Sequence, residues 1–481
     1  MTKEIVIEPV SRIEGHAKVA IQLDDQGNVA DAKMHVVELR GFEKFCVGRM
    51  VEELPRITPR ICGVCPWAHH LASAKATDAL FGVKIPEAAR KIRELVYMAE
   101  MASDRILHFW ILSGPDFVIG PSADYKDRNV FGVIKANPEV AKRVVHVRHL
   151  GTRAAQLLSG KAIHPAAAVP GGWSRPLKKE EIDEVKGMAK EMHDFALFSM
   201  KFAKEQIFPK YLDLVKSLAV FNTGFLGTVM DDGGLSLYDG KLRMMQPDGS
   251  YEDFAVENYL DHIAELVEPW SYLKFPYNKK AGQMTMDLEN PVGVYRVNAL
   301  ARINVVDKIP TPLAQKELEE FRNQFGRPAQ ATLLFHWARL IELVYCTERL
   351  LELLDDPEVT STNVREKVAP RAARGIGSVE ASRGTLIHDY ETDDRGIVKD
   401  LNLVVATVQN NAAMNIAVKK TARDLIKGGK YDQGILNQIE MVIRPYDPCF
   451  SCGTHTLQGR VAVKLDIFNS EGQPIDTMTN Y

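Results

Sequence analysis

Two C-x-x-C pairs, Cys62/Cys65 and Cys449/Cys452, stand near opposite ends of a 481-residue chain, so any fold in which the four sulfurs act together must bring those ends into contact. Either pair alone fits a structural zinc half-site or a redox dithiol. A four-cysteine zinc site normally staples a short knuckle that the metal stabilises. A chain this long, with 46% hydrophobic residues, can bury a substantial core without one. No short βαβ pattern accompanies either pair, which argues against a thioredoxin-like motif. The total of six cysteines is too small for a disulfide framework and reads as metal chemistry in a reducing compartment. Soft thiolates suit nickel and iron, and a dinuclear centre can use two sulfurs as bridges and two as terminal ligands.

The rest of the chain reads as mainly α with small β-sheets (α+β). HAKVAIQL and VADAKMHVVE alternate on either side of the turn residues DDQGN, which predicts an N-terminal β-hairpin. Apolar residues recur at helical spacing from Pro86 to Leu112 until Gly114-Pro115 interrupts them. A second such pattern runs from Ile182 through Phe195 towards Pro209, and a third from Pro328 to Leu354. Two Asp-Gly turns between alternating residues predict a β-excursion around 235–254, expected to be a surface insertion. No repeat or linker divides residues 1–455, expected to form one unit.

Basic and acidic residues number 60 and 63 and are well mixed, so the net charge of −3 offers no field for nucleic acid. No stretch approaches the ~20 apolar residues of a membrane span. The opening MTKEIVIEPVSRIEGH lacks the pattern of a signal peptide.

The cysteine pairs sit in R-x-C-G-x-C-x-x-x-H, ending at His69, and D-P-C-x-x-C-x-x-H, ending at His455. Together these motifs resemble those of the nickel-iron hydrogenase large subunit. The likeness continues through SRIEGH at 11–16, RGFE at 40–43, LHFW and PD within 107–116, HPAAAVPGG at 164–172, EASRGTLIH at 380–388 and ATVQNN at 406–411.

The resemblance implies that fold and the reversible heterolytic cleavage of dihydrogen. It makes Cys62 and Cys449 terminal nickel ligands, and Cys65 and Cys452 bridges to an iron carrying carbon monoxide and cyanide. Dihydrogen is a very weak acid, so its splitting needs a metal and a nearby base together. Cys449 is expected to take the proton and Glu14 to relay it. Glu43 and His455, with the Leu403 carbonyl, would hold a magnesium (or iron) ion. Arg383 would donate to one cyanide and Thr407 to the other, with Asp116 orienting Arg383. His69 would hydrogen-bond a bridging thiolate. His70, Cys46, Cys346 and His336 are assigned to packing.

No further cysteine cluster exists for an iron-sulfur cluster in this chain, so an iron-sulfur small subunit is expected as electron partner. TPRICGVCPWAHHLASAKATD and NNAAMN look most like cytoplasmic, viologen-reducing multimeric hydrogenases that do not reduce deazaflavin, linked through further electron-transfer subunits to heterodisulfide reductase. Deazaflavin- and nicotinamide-reducing relatives are alternatives. Residues 456–481 resemble a tail that a maturation endopeptidase removes, while the alternating VAVKLDIF within them also fits a permanent strand. The hydrogenase-like subunit of respiratory complex I shares the ancestry but typically lacks the four cysteines. A zinc- or iron-sulfur-stabilised binding protein would leave the Glu14, Glu43 and Arg383 motifs unexplained.

Overall fold

The computed structural model describes residues 3–454, 464–468 and 474–479. Long helices form its body, and six small sheets attach to them. The N-terminal hairpin joins Lys18–Leu23 to Val29–His35, with Lys3–Ile7 on the other side of the first strand. Asp24 Oδ1 accepts the Gln26 and Asn28 amides and so closes the turn. Val19, Ile21 and Met34 are fully buried, as the alternation requires.

Helices Glu87–Ile106, Pro138–Ser159, Lys179–Phe202 and Phe335–Asp355 pack pairwise into a bundle. Ile92, Leu95, Val96 and Ile106 are buried there, each contributing on the order of 1.5–3 kcal/mol. The expected break at Gly114-Pro115 does not occur. The first helix widens into π-turns over Leu107–Ser113 and Pro115–Ile119 and stops at Gly120, whose φ is +115°. Pro115 opens the second wide turn, where its missing N–H costs little and its fixed φ fits. Pro209 is passed in the same way, within the first turn of helix Phe208–Ser217.

The β-excursion is present as Lys241–Met245 and Tyr251–Phe254 but is not a surface insertion. Its first strand pairs with the wholly buried Gly224–Val229, and Leu242, Met244 and Met245 lie in the core. Asp-Gly turns announce a hairpin without specifying what its face packs against.

A three-stranded meander, Arg374–Ala381, Gly384–Thr392 and Val398–Val404, lies against helix Pro66–Phe81. The approach depends on glycine: a Cβ on Gly377 would fall 2.3 Å from the Ala76 nitrogen and 2.5 Å from the Ala72 carbonyl oxygen. That contact sets the first cysteine pair, at the helix N-terminus, beside the meander turn that carries Arg383. The segments Lys464–Phe468 and Pro474–Thr479 pair antiparallel, so VAVKLDIF does contribute a strand. No helix of the described residues is long and apolar enough to cross a membrane.

Candidate metal centre

In each cysteine pair one member stands at the start of a helix. Cys62 leaves a short 3-10 turn in extended conformation, and Cys65 caps helix Pro66–Phe81, with Pro66 at its first position. The Val64 and Cys65 amides donate to Cys62 Sγ at 3.2 and 3.4 Å. Cys449 likewise precedes the short helix Phe450–Gly453, and its amide donates to Thr407 Oγ1 at 3.0 Å.

The chain ends meet through SRIEGH. Glu14 forms an isolated parallel bridge with Cys449: the Glu14 amide donates to the Pro448 carbonyl and the Phe450 amide donates to the Glu14 carbonyl. The Ser451 amide donates to Glu14 Oε2 at 3.2 Å. Gly15, at φ +78°, lies so near this segment that a Cβ would stand 2.9 Å from Phe450 Cβ and from the Ser451 nitrogen.

The four sulfurs thereby converge. Cys62–Cys449 and Cys65–Cys452 are each 3.2 Å apart, Cys65–Cys449 3.9 Å and Cys449–Cys452 2.8 Å. All four cysteines are buried and free of disulfides, and their sulfurs lie within 4.8 Å of one another. Hydrogen bonds from Cys449, Cys452 and Cys65 hold the Cys62 thiol well below its ordinary pKa. Burial pushes Cys449 and Cys452 well above theirs. Four thiolates cannot coexist in such a pocket without cations among them. A soft, all-sulfur donor set fits nickel and iron.

Arg383 supplies a fixed positive charge that acts on Cys62, Cys65 and Cys449. Burial opposes that charge, but Asp104, Asp447, Cys65 and Cys449 outweigh it and hold the guanidinium firmly protonated. Its Nη1 donates to Asp104 Oδ1 at 3.2 Å, its Nη2 to Asp447 Oδ1 at 3.1 Å and its Nε to the Asp447 carbonyl at 3.0 Å. The expectation that Asp116 orients Arg383 is therefore corrected. Asp116 binds Arg12 at 2.5 Å and Arg444 at 2.9 Å, and joins SRIEGH to the segment before Cys449. It rides on the π-turn that helical periodicity does not anticipate. Sequence reasoning missed Asp104 and Asp447 in this role; Asp447 was within reach, as the acid of the D-P-C motif.

Thr407 stands beside Cys449, accepting its amide. Glu43 is buried in helix Phe42–Cys46 and accepts the Leu403 amide on Oε1 at 2.9 Å, so these two expected cation ligands are neighbours. His455, the third, lies outside the described residues. His69 presents Nδ1 to His388 Nε2 at 3.1 Å. The packing assignments agree with the contacts. His70 Nδ1 reaches the Pro55 carbonyl and its Nε2 accepts the Ala168 amide. His336 stacks on His108, and burial raises the Cys46 and Cys346 thiols to about 12.

Comparison with known proteins places this geometry. A family model described as nickel-dependent hydrogenase matches residues 40–147 and 229–455, and one described as HoxL-like matches residues 4–39. The chain is 47% identical over 425 residues to a component of the F420-non-reducing hydrogenase vhu of Methanococcus voltae, covering 88% of this chain and 99% of that one. It is 40% identical to the NAD-reducing hydrogenase HoxS subunit beta of Cupriavidus necator, with 99% of each covered. Among solved structures, an NAD+-reducing [NiFe]-hydrogenase in the H2-reduced state superposes with a TM-score of 0.89 at 38% identity, over 94% of this chain and 100% of that one.

Proposed function

The chain belongs to the nickel-dependent hydrogenase family and is an oxidoreductase, and from that premise we propose how its own residues work. The reading is carried by the meeting of four buried sulfurs from the two ends of the chain. Cys62 and Cys449 would be terminal nickel ligands, and Cys65 and Cys452 would bridge to an iron with carbon monoxide and cyanide. A bound nickel-iron pair supplies the Lewis acidity that polarises dihydrogen and the redox capacity that accepts its two electrons.

The chain's residues then handle the proton. Cys449 Sγ accepts it, and Glu14, anchored on the Ser451 amide beside that cysteine, carries it outward. Arg383, gripped by Asp104 and Asp447, and the Thr407 hydroxyl offer donors to the two cyanides. His69 donates to a bridging thiolate. Glu43, the Leu403 carbonyl and His455 hold a magnesium or iron ion. Residues 1–455 act as one catalytic domain, and a maturation endopeptidase removes 456–481.

The electrons pass singly to an iron-sulfur partner subunit, because the two cysteines left outside the dinuclear centre, Cys46 and Cys346, are too few to hold an iron-sulfur cluster. The relatives named as F420-non-reducing support an acceptor other than F420. In this reading the complex is cytoplasmic and delivers electrons through further subunits to heterodisulfide reductase. The nicotinamide-reducing relative supports the second reading of the acceptor. Infrared spectroscopy and metal analysis on protein isolated with its partners test the centre. Iron-bound carbon monoxide and cyanide bands with stoichiometric nickel are expected, and active protein without nickel overturns it.

A further inference from the structure

Arg383 sits in a turn that its own backbone does not favour. Strands Arg374–Ala381 and Gly384–Thr392 pair as far as Ala381 opposite Gly384, which leaves Ser382 and Arg383 as a two-residue loop. Such loops match the twist of their strands when one or both central residues take a positive φ, and other turns splay the strands apart. Ser382 and Arg383 both keep negative φ, so the shape of this turn depends on contacts from outside it.

Those contacts are three donors on three successive carbonyls. The Tyr97 hydroxyl donates to the Glu380 carbonyl at 2.8 Å, Arg302 Nη1 to the Ala381 carbonyl at 3.1 Å and Arg105 Nη1 to the Ser382 carbonyl at 3.0 Å. The two guanidiniums share one carboxylate. Arg105 Nη2 lies 2.9 Å from Glu342 Oε2, Arg302 Nη2 donates to the same oxygen at 2.9 Å, and Arg302 Nε donates to Glu342 Oε1. Arg302 Nη1 also donates to Glu380 Oε2 at 2.7 Å. Arg105 Nη1 stands 3.4 Å from Asp104 Oδ2, while the other oxygen of Asp104 holds Arg383. Tyr97, Arg105, Arg302, Glu342 and Glu380 are all buried. Burial opposes the charge on Glu342, but Arg302, Arg105 and Arg339 outweigh it and hold the carboxyl below its ordinary pKa.

Resting on the dinuclear-centre reading, we propose that Glu342 is a positioning residue for Arg383. From helix Phe335–Asp355 it fixes the forks of Arg105 and Arg302, which hold the Ala381 and Ser382 carbonyls and so aim the residue that follows them at the sulfur cluster. A guanidinium is held in one orientation by a carboxylate that takes two of its donors, and without that partner its carbonyl contact loosens. Glu342 touches neither metal nor substrate and acts through Arg383.

The test uses the holoenzyme with its partners. Glu342→Gln is expected to keep its nickel and iron, to displace the infrared bands of the iron-bound diatomic ligands and to lower turnover about 10-fold, the scale of a lost outer contact at a metal site. Glu348 is a buried carboxylate on the same helix that accepts the Leu313 and Ala314 amides instead, and Glu348→Gln is expected to keep the parental bands. Added to Arg383→Lys, Glu342→Gln is expected to bring no further displacement, because residues that act through one another are not additive. Unmoved bands in Glu342→Gln, equal displacement in Glu348→Gln, or full additivity with Arg383→Lys overturns the proposal. If Glu342→Gln takes up no metal, Arg105→Lys, which keeps the charge but loses the fork between Glu342 and Ser382, is read in the same way, displaced bands supporting the proposal and unmoved bands overturning it. A parent protein with no such bands overturns the dinuclear-centre reading itself, and this proposal with it.

Discussion

Glu14 and Cys449 are joined as neighbours on an isolated parallel β-bridge, with the Glu14 carboxylate hydrogen-bonded to the amide two residues beyond that cysteine. A carboxylate from the first turns of the chain is thereby attached to the loop that carries a candidate base.

Glu14→Gln keeps the size and the hydrogen bond from Ser451 but removes the titratable proton carrier. Hydrogen-deuterium exchange by the holoenzyme should fall by about 10²-fold or more with metal content unchanged. Exchange at the parental rate would exclude Glu14 from the proton route.

Arg383→Lys keeps the charge but loses the fork that spans Asp104 and Asp447. Infrared bands of the centre should shift and turnover should fall about 10–100-fold. Asp116→Asn should leave those bands in place and instead destabilise the fold by roughly 3–5 kcal/mol, because Arg12 and Arg444 lose a buried partner. Thermal unfolding and infrared spectra of the two variants separate these roles.

Gly377→Ala drives a methyl into the backbone of Ala72 and Ala76. Overpacking of this kind costs roughly 1–3 kcal/mol or more and should move the meander off its helix. Lower Tm together with reduced nickel retention is expected, since Arg383 and the first cysteine pair lose their common support.

His70 has its pKa lowered to about 3 by burial, and it stays neutral between the Pro55 carbonyl and the Ala168 amide. The unfolded chain takes up a proton near the ordinary histidine pKa and the folded chain does not. Stability from this group is therefore full above about pH 6.5 and is lost progressively as pH falls towards 3, by a few kcal/mol in all. His70→Gln should flatten Tm against pH across that window. An unchanged slope would mean that other groups govern acid unfolding.

Intact-mass measurement of active protein tests the tail. A chain ending after residue 455 is expected, and a full-length active chain would make the paired strands after it a permanent part of the protein.

Much of the chemistry was legible because it depends on residue type at short spacing. The four cysteines, Glu14, Glu43 and Arg383 are each marked by a local motif, and the structure gathers the cysteines and Glu14 and places Glu43 against Leu403. The helices and the N-terminal hairpin followed from periodicities of 3.6 and 2, which are also local. Apart from the helix break expected at Gly114-Pro115, the errors lay where a partner had to be chosen across the chain. Asp116 is the acid beside the LHFW motif, yet Arg383 meets Asp104, which lies three residues before that motif, and Asp447, which lies two before Cys449.

The sequence by itself determined a thiolate-held metal site in a mainly helical chain, since donor chemistry and apolar periodicity are properties of residues and their near neighbours. Only the tertiary structure decided that the sulfurs meet, which carboxylates hold Arg383, and that His69 meets His388. Those contacts depend on glycines that admit a helix against a strand and on a bridge between the chain's ends. They arise from steric fit between segments that are distant in sequence.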